Sequence, residues 1–178
     1  MHNIKILKTG LDVSSIKKQL LQYSKDWECQ KNLLNVESLL NRGYPEMDVG
    51  VLQLKIGVIA KANDFVGDSE LSKETLAWNR HTAVRTTLRK NGFPKLERCG
   101  FLSLPLAKEV GLHIDEGTYY KTRNRYHLSI QGTYEYTCGD ESIIVESGTL
   151  FYFNNKLMHS AKNIGNDVRI TFVFDTLI

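Results

Sequence analysis

The chain has 178 residues, of which 42% are hydrophobic and 24% are charged, a balance typical of soluble globular proteins. This length suits one core, so we expect residues 1–178 to form a single domain. A net charge of +3 is too small to indicate a nucleic-acid partner. Because no apolar run is long enough to cross a membrane and no signal-peptide pattern opens the chain, we expect no membrane partner and a cytoplasmic location.

The number and spacing of the cysteines also favour a cytoplasmic location. The three cysteines, Cys29, Cys99 and Cys138, are odd in number, widely spaced and without a Cys-x-x-Cys pair. This pattern indicates neither a disulfide framework nor a zinc site. A reducing cytoplasm is the simplest compartment for such a chain.

The first part of the chain, residues 1–95, is predicted to supply helices and edge strands around a core formed by the rest. Its hydrophobic patterns predict a strand at 4–7, an amphipathic helix over 13–23, a strand over 49–59 and a second helix from Ser72 to about Arg89. The stretch 28–48 is polar, and Gly43-Tyr44-Pro45 breaks any helix there.

From Leu96 onward the hydrophobic period changes to two, which is typical of β-strands. The candidate strands are 97–104, 112–116, 125–131, 133–138, 142–146, 149–153, 157–162 and 168–175. Many short strands at such spacing predict a sandwich or barrel, and helices that precede them are expected to pack on its outside. We therefore predict a mainly β fold with flanking helices, in which residues 96–178 form a jelly-roll core.

Three polar residues offer a ligand set for a metal ion. His113 and Asp115 are two residues apart, so an extended backbone places both side chains on one face. With the distant His159 they supply two nitrogens and one oxygen, the ligand set of non-haem Fe(II) oxygenases. The alternative is three unrelated polar residues at strand ends. A jelly roll favours convergence, because its connections bring distant strands together.

Arg169 completes a second pattern. Residues 163–167 read as a turn, and a hairpin centred near Ile164 would place His159 and Arg169 opposite each other on one face. A cation beside the metal would suit the remote carboxylate of a dicarboxylate co-substrate. The alternative is an ion pair with a neighbouring carboxylate such as Asp167 or Asp175, or exposure on the surface.

The order of these motifs resembles the aspartyl/asparaginyl β-hydroxylase family of 2-oxoglutarate-dependent dioxygenases, which includes bacterial proline hydroxylases. The similar region is roughly 99–175, carried by the segments HIDEG, RNRYHLSI and ESGTLFYFNNKLMHSAKNIGNDVRITFVFD. The resemblance implies a double-stranded β-helix (a cupin-like jelly roll) that uses Fe(II), 2-oxoglutarate and O₂. It further implies hydroxylation of an amino acid, free or as an Asp, Asn or Pro residue of a peptide, with decarboxylation of 2-oxoglutarate to succinate.

The resemblance also assigns roles, with no catalytic residue beyond the metal ligands. The iron ligands would be His113, Asp115 and His159. The residues that bind 2-oxoglutarate would be Arg169, Arg125, His127 and Ser103. Candidate substrate contacts are Tyr119, Arg123 and Asn155. Because Asp115 is present, the chain resembles the branch of the family that acts on small molecules.

Several alternatives stay open from the residues alone. The polar face of 125–129 can line a pocket or face solvent, and the segment 119–123 can be a mobile loop at the mouth or a plain surface loop. A second hypothesis for the whole chain is a non-catalytic, cupin-like module that binds a metal or a small acid. A third is a different metal-dependent isomerase or dioxygenase on the cupin fold. The sequence does not predict the oligomeric state.

Overall fold

A computed structural model describes residues 2–30 and 49–178 of the chain, with side chains at 2–27 and 49–178. The strands within these ranges are β1 Ile4–Lys8, β2 Gly50–Gly57, β3 Ser72–Glu74, β4 Cys99–Leu104, β5 Glu109–His113, β6 Arg123–Gln131, β7 Tyr134–Cys138, β8 Glu141–Val145, β9 Leu150–Phe153, β10 His159–Asn163 and β11 Arg169–Leu177. The helices are α1 Ser14–Gln22, α2 Lys25–Gln30, α3 Thr82–Lys90 and α4 Thr118–Lys121, with a 3₁₀ turn at Val66–Asp68.

The strands form two antiparallel sheets. The larger sheet has seven strands in the order β1-β9-β6-β11-β4-β2-β3, and the smaller has four in the order β5-β10-β7-β8. Neighbours in each sheet are often far apart in sequence, as where β6 lies between β9 and β11. This is the connectivity of a double-stranded β-helix, so the predicted mainly β, jelly-roll fold is confirmed.

One face of the seven-stranded sheet packs against helices α1 and α3. Ile16 and Leu20 of α1 and Val84 and Leu88 of α3 are buried there. The sheet contributes Leu52, Leu54, Cys99, Phe101, Leu128, Ile130, Leu150, Phe172 and Phe174. Burial of each large side chain of this kind stabilises the fold by roughly 1.5–3 kcal/mol, so this apolar cluster anchors the helices on the outside of the sheet.

The other face of the same sheet packs against the four-stranded sheet. Its apolar part is a second cluster made of Ile4, Tyr134, Tyr136, Cys138, Val145, Phe151, Phe153 and Ala161. The seven-stranded sheet is therefore the middle layer, with helices on one side and the smaller sheet on the other. We call the space between the two sheets the barrel interior.

The structure corrects the helix predicted from Ser72 to about Arg89. Ser72–Glu74 is a strand that pairs with β2, and helix α3 begins only at Thr82. The Thr75 N–H and hydroxyl donate to the carbonyls of Leu54 and Gln53, which continues the attachment to β2. Pairing with an existing strand outweighs the local helical tendency of this segment.

The remaining expectations about the first part of the chain have mixed outcomes. The strand at 4–7, the helix over 13–23 and the strand over 49–59 are present as β1, α1 and β2. The helix break at 43–45 lies outside the described residues. Among the described residues no helix is long and apolar enough to cross a membrane, and Cys99 and Cys138 are buried free thiols.

The close approach of two loops predicts the effect of a Gly117→Ala substitution. Gly117 has φ 118°, and an added Cβ would lie 2.1 Å from the carbonyl oxygen of Gly67. We expect Gly117→Ala to lower the free energy of unfolding by at least about 2 kcal/mol, measured by urea denaturation. Gly111→Ala is the control, because nothing lies within 4 Å of its added Cβ, and it should change stability by less than about 0.5 kcal/mol. Equal effects would contradict the strain argument.

Candidate metal centre

The structure brings His113, Asp115 and His159 together. β5 and β10 are paired neighbours, and their register places His113 directly opposite His159, with ring centroids 4.3 Å apart. Asp115 lies two residues beyond the end of β5. One potential ligand atom from each of the three residues lies within 4.8 Å of the others. The three residues therefore converge as expected. His113 and His159 are 46 positions apart in the sequence, and the pairing of β5 with β10 brings them together.

The hydrogen bonds of the two imidazoles fix which nitrogen is available to a metal. His113 Nδ1 lies 2.8 Å from the Gly111 carbonyl oxygen, and His159 Nδ1 lies 2.9 Å from the Leu157 carbonyl oxygen. Since a carbonyl can only accept, each Nδ1 carries the proton and donates it. The lone pair of each neutral ring is therefore on Nε2. Metal-bound histidines show the same arrangement, in which the second nitrogen donates to a fixed acceptor.

Burial also favours the neutral form of His159. The side chain is 5% exposed, and removal from water lowers its pKa below the ordinary value, although the nearby Asp115 carboxylate opposes this shift. A neutral imidazole is the form that binds a metal ion. The donor set therefore fits a divalent cation: two imidazole nitrogens with free lone pairs and one carboxylate.

Arg125 holds the carboxylate of this set in place. Its Nη1 lies 2.9 Å from Asp115 Oδ2. Its Nε and Nη2 donate to the two oxygens of the fully buried Asp175, at 2.7 and 2.9 Å. The two carboxylates raise the pKa of Arg125 against the opposing effect of burial, so it stays charged. The structure thus places Arg125, expected near 2-oxoglutarate, beside Asp115 and Asp175.

Tyr119 and Arg123 belong to the layer that supports Asp175, so the segment 119–123 is neither the mobile loop at the mouth nor the plain surface loop that the sequence left open. Tyr119 is buried in α4, and its hydroxyl donates to Asp175 and accepts from the Arg98 N–H. The Arg123 guanidinium lies over the Tyr119 ring at 4.6 Å and pairs with Glu70. These contacts hold both side chains within the protein, so neither is available as a flexible substrate contact.

His127 occupies the barrel interior between the histidines and Arg169. Its ring packs at 5.1–5.3 Å from the rings of Tyr136, Phe151 and Phe153. Complete burial, with smaller contributions from Arg169, Arg125, His159 and His113, lowers its pKa far below the ordinary value. The polar face of β6 therefore lines the interior, while its apolar face packs against the helices.

Arg169 is not in a hairpin with His159, contrary to the sequence prediction. β10 belongs to the four-stranded sheet and β11 to the seven-stranded sheet, so the two residues face the barrel interior from different sheets. The Arg169 side chain is 1% exposed, and its guanidinium lies over the Tyr134 ring at 4.3 Å. In the part of the chain that the structure describes, no carboxylate forms an ion pair with Arg169. Asp175, one of the two carboxylates considered as its partner, pairs with Arg125 instead.

Several buried polar atoms around the interior have no hydrogen-bond partner among the described residues. They are His127 Nδ1, Ser129 Oγ, Tyr134 OH, Tyr136 OH, Asn155 Nδ2 and Oδ1, and Arg169 Nε. A buried polar group without a partner is costly, so this concentration indicates a place for a polar ligand or water. The two tyrosines were not singled out in the sequence, although period two along β7 places them on the face of His159.

Ser103 does not reach this interior. Cross-strand partners share a face, and Ser103 is paired with Ile170, whereas Arg169 is paired with Leu104. Ser103 therefore faces the helices, close to Gly50. Asn155 is fully buried in the connection between β9 and β10, which is consistent with a position at the site.

Of three comparisons with known proteins, the comparison with solved structures finds similar folds. No protein-family model and no curated protein matches the chain. A crystal structure of an oxidoreductase of the 2OG-Fe(II) oxygenase family from Burkholderia pseudomallei aligns with 80% of this chain and 77% of its own, at 13% identity and TM-score 0.52. A predicted oxalate decarboxylase from Thermotoga maritima aligns with 51% of this chain and 74% of its own, at 18% identity and TM-score 0.40. At these identities the similarity concerns the fold alone.

The buried imidazole of His127 predicts a pH dependence of stability. Its folded-state pKa lies below the unfolded value of about 6.5, so below that pH the unfolded chain binds a proton that the folded chain does not. Stability is therefore intact above about pH 6.5 and falls as the pH drops, by about 1.4 kcal/mol per pH unit for this group. Urea denaturation between pH 7 and 5 should give a smaller slope for His127→Gln, and the wild-type slope for Tyr136→Phe. An unchanged slope in His127→Gln would contradict the prediction.

Proposed function

We propose that this protein is an Fe(II)- and 2-oxoglutarate-dependent dioxygenase that hydroxylates an amino acid. One observation carries the proposal: a set of two imidazoles and a carboxylate shares an interior with a buried arginine that has no protein anion among the described residues. The first feature suits Fe(II), and the second suits the carboxylate of a diacid co-substrate. The resemblance in motif order supports the same reaction, in which 2-oxoglutarate, O₂ and a C–H bond give succinate, CO₂ and an alcohol.

The metal would be held by His113 Nε2, His159 Nε2 and Asp115. Bound iron would supply the activation of O₂, which no side chain here can perform. The protein orients the ligands: backbone carbonyls fix both imidazoles, and Arg125 fixes the carboxylate. A reducing cytoplasm, which keeps iron in the Fe(II) state, is the compartment that this proposal implies.

Arg169 would bind the distal carboxylate of 2-oxoglutarate. A guanidinium can donate two parallel hydrogen bonds to a carboxylate, and the anion would remove the cost of a buried, unpaired charge. The hydroxyls of Tyr134 and Ser129 lack partners among the described residues and belong to the same interior, so they could add further donors. His127, neutral and enclosed by aromatic rings, would line the path between Arg169 and the metal and exclude water.

The substrate would be an amino acid, free or within a peptide. Asn155 supports this choice, since its amide offers an unpartnered donor and an unpartnered acceptor close to the strand that carries His159. An amide of this kind can bind a carboxylate or a peptide group. We favour a small substrate, because the resemblance through Asp115 is to the small-molecule branch.

The metal role is tested by His159→Ala. Anaerobic titration with Fe(II) should show one bound ion per wild-type chain and none for the variant, whose circular dichroism should remain that of a folded protein. With Fe(II), ascorbate and 2-oxoglutarate, the wild-type protein should release succinate slowly even without substrate, and the variant should not. His2→Ala is the control, because His2 is an exposed histidine outside the candidate ligand set, and it should behave as wild type.

Iron binding without succinate release would instead favour the non-catalytic binding module. Succinate release undiminished in His159→Ala would contradict the proposed ligand set. Turnover of another substrate without 2-oxoglutarate would favour a different cupin-fold enzyme.

The co-substrate role is tested by Arg169→Ala. Loss of a charge-assisted contact worth roughly 1.5–3 kcal/mol should raise the KM for 2-oxoglutarate by about 10- to 150-fold, while Fe(II) affinity changes little. Lys162→Ala removes an exposed cation of β10 and should leave both values unchanged. Parallel loss of Fe(II) binding and 2-oxoglutarate binding in Arg169→Ala would indicate a folding role for the arginine and contradict the assignment.

A further inference from the structure

A second concave site lies on the helix side of the seven-stranded sheet. It is a cleft of about 250 Å³ between β2, β3, helix α3 and the segment 93–97. None of the three candidate metal ligands lines it, and neither does Arg169. The cleft is therefore separate from the barrel interior, and its properties do not depend on the proposed dioxygenase activity.

The lining of this cleft carries an excess of positive charge. Four cations line it, Lys55, Arg85, Arg89 and Lys95, against two carboxylates, Glu74 and Glu97. Within the part of the chain that the structure describes, none of these cations forms an ion pair with either carboxylate, even though Lys55 and Glu74 are cross-strand partners. The walls of the cleft therefore carry more positive than negative charge, and none of these cations is bound directly to a carboxylate of the walls among the described residues.

Two of the four cations are held in fixed positions. The Arg85 guanidinium lies over the Trp78 ring at 4.1 Å and donates from Nη2 to the Trp78 carbonyl oxygen at 3.0 Å. Arg85 Nε is buried and has no hydrogen-bond partner among the described residues. Lys55 Nζ donates to the Leu96 carbonyl oxygen at 3.1 Å. Side chains fixed in this way lose little further entropy when they bind a ligand.

We propose that this cleft binds a small anion with two or more negative charges on phosphate or carboxylate groups. A guanidinium fork matches either group, and two or more charges are needed to engage cations on both α3 and β2. The volume limits the ligand to a few heavy-atom groups, since pockets for drug-sized molecules begin at about 300 Å³. Arg85 and Lys55 would form the fixed base of the site, with Arg89 and Lys95 at its exposed rim.

The experiment uses the whole chain without added metal and inorganic pyrophosphate as the probe, with citrate in a parallel arm. Titrations at constant ionic strength are followed by calorimetry and by the fluorescence of Trp78, since Arg85 lies on its ring. The chain has two tryptophans, so a Trp27→Phe variant assigns the optical signal. We expect saturable binding of one anion per chain, with a change in Trp78 emission. Stronger binding of pyrophosphate or of citrate distinguishes a phosphate ligand from a carboxylate ligand.

The matched variants separate this site from general attraction to a basic surface. Arg89→Gln combined with Lys95→Gln should weaken pyrophosphate binding at least tenfold, roughly the loss of one charge-assisted contact. Lys90→Gln removes an exposed cation of the same helix that does not line the cleft, and should change the affinity less than about twofold. Equal weakening by both variants, sulfate binding as tight as pyrophosphate, or no saturable binding would overturn the proposal. Loss of binding in Arg169→Ala would place the anion in the barrel interior and would also overturn it.

Discussion

The central strands of the seven-stranded sheet, such as β6 and β11, carry buried residues on both faces, and this double burial determines what their polar residues can do. The face toward α1 and α3 is apolar and satisfied by packing. The opposite face carries Arg125, His127 and Arg169 into the barrel interior, where a charge or a polar atom is stable only with a partner. Alternation along β6 and β11 therefore divides each strand into a side that stabilises the fold and a side available for chemistry.

Within the interior, Arg125 has carboxylate partners and Arg169 has none among the described residues, and this difference defines the site. Asp175 and Asp115 both form ion pairs with Arg125, and the Tyr119 hydroxyl donates a hydrogen bond to Asp175. Arg125 offsets one of these two negative charges and fixes the carboxylate that faces the two imidazoles. Arg169 has only an aromatic ring beneath it among the described residues, so the positive charge available to an anionic ligand is concentrated there. The geometry thus separates a region that offers three potential metal ligands from a region that offers a cation without a carboxylate partner among the described residues.

The two concave sites differ in how the fold builds them. The candidate metal centre depends on the pairing of β5 with β10, which aligns two histidines distant in sequence, and on the burial that lowers the pKa of His159. The cleft at α3 lies on the outer side of the sheet and depends on a helix placed over a strand hairpin. The segment 93–97, which lines the cleft, also contacts a residue that supports the candidate metal centre. The Glu97 N–H donates to the carbonyl oxygen of Asp175 at 2.8 Å.

Local sequence patterns predicted the β-rich second half, the outer helix α1, and the residue types that meet at the candidate metal centre, because period-two alternation and ligand chemistry are local properties. Alternation along β6 and β11 also predicted which residues share a face, but it did not predict which face lies in the barrel interior. The pairing of distant strands places His159 and Arg169 in different sheets and turns Ser103 toward the helices. It also brings two carboxylates to Arg125. It also made Ser72–Glu74 a strand. These outcomes depend on strand partners and register, which are contacts between distant segments that no local pattern specifies.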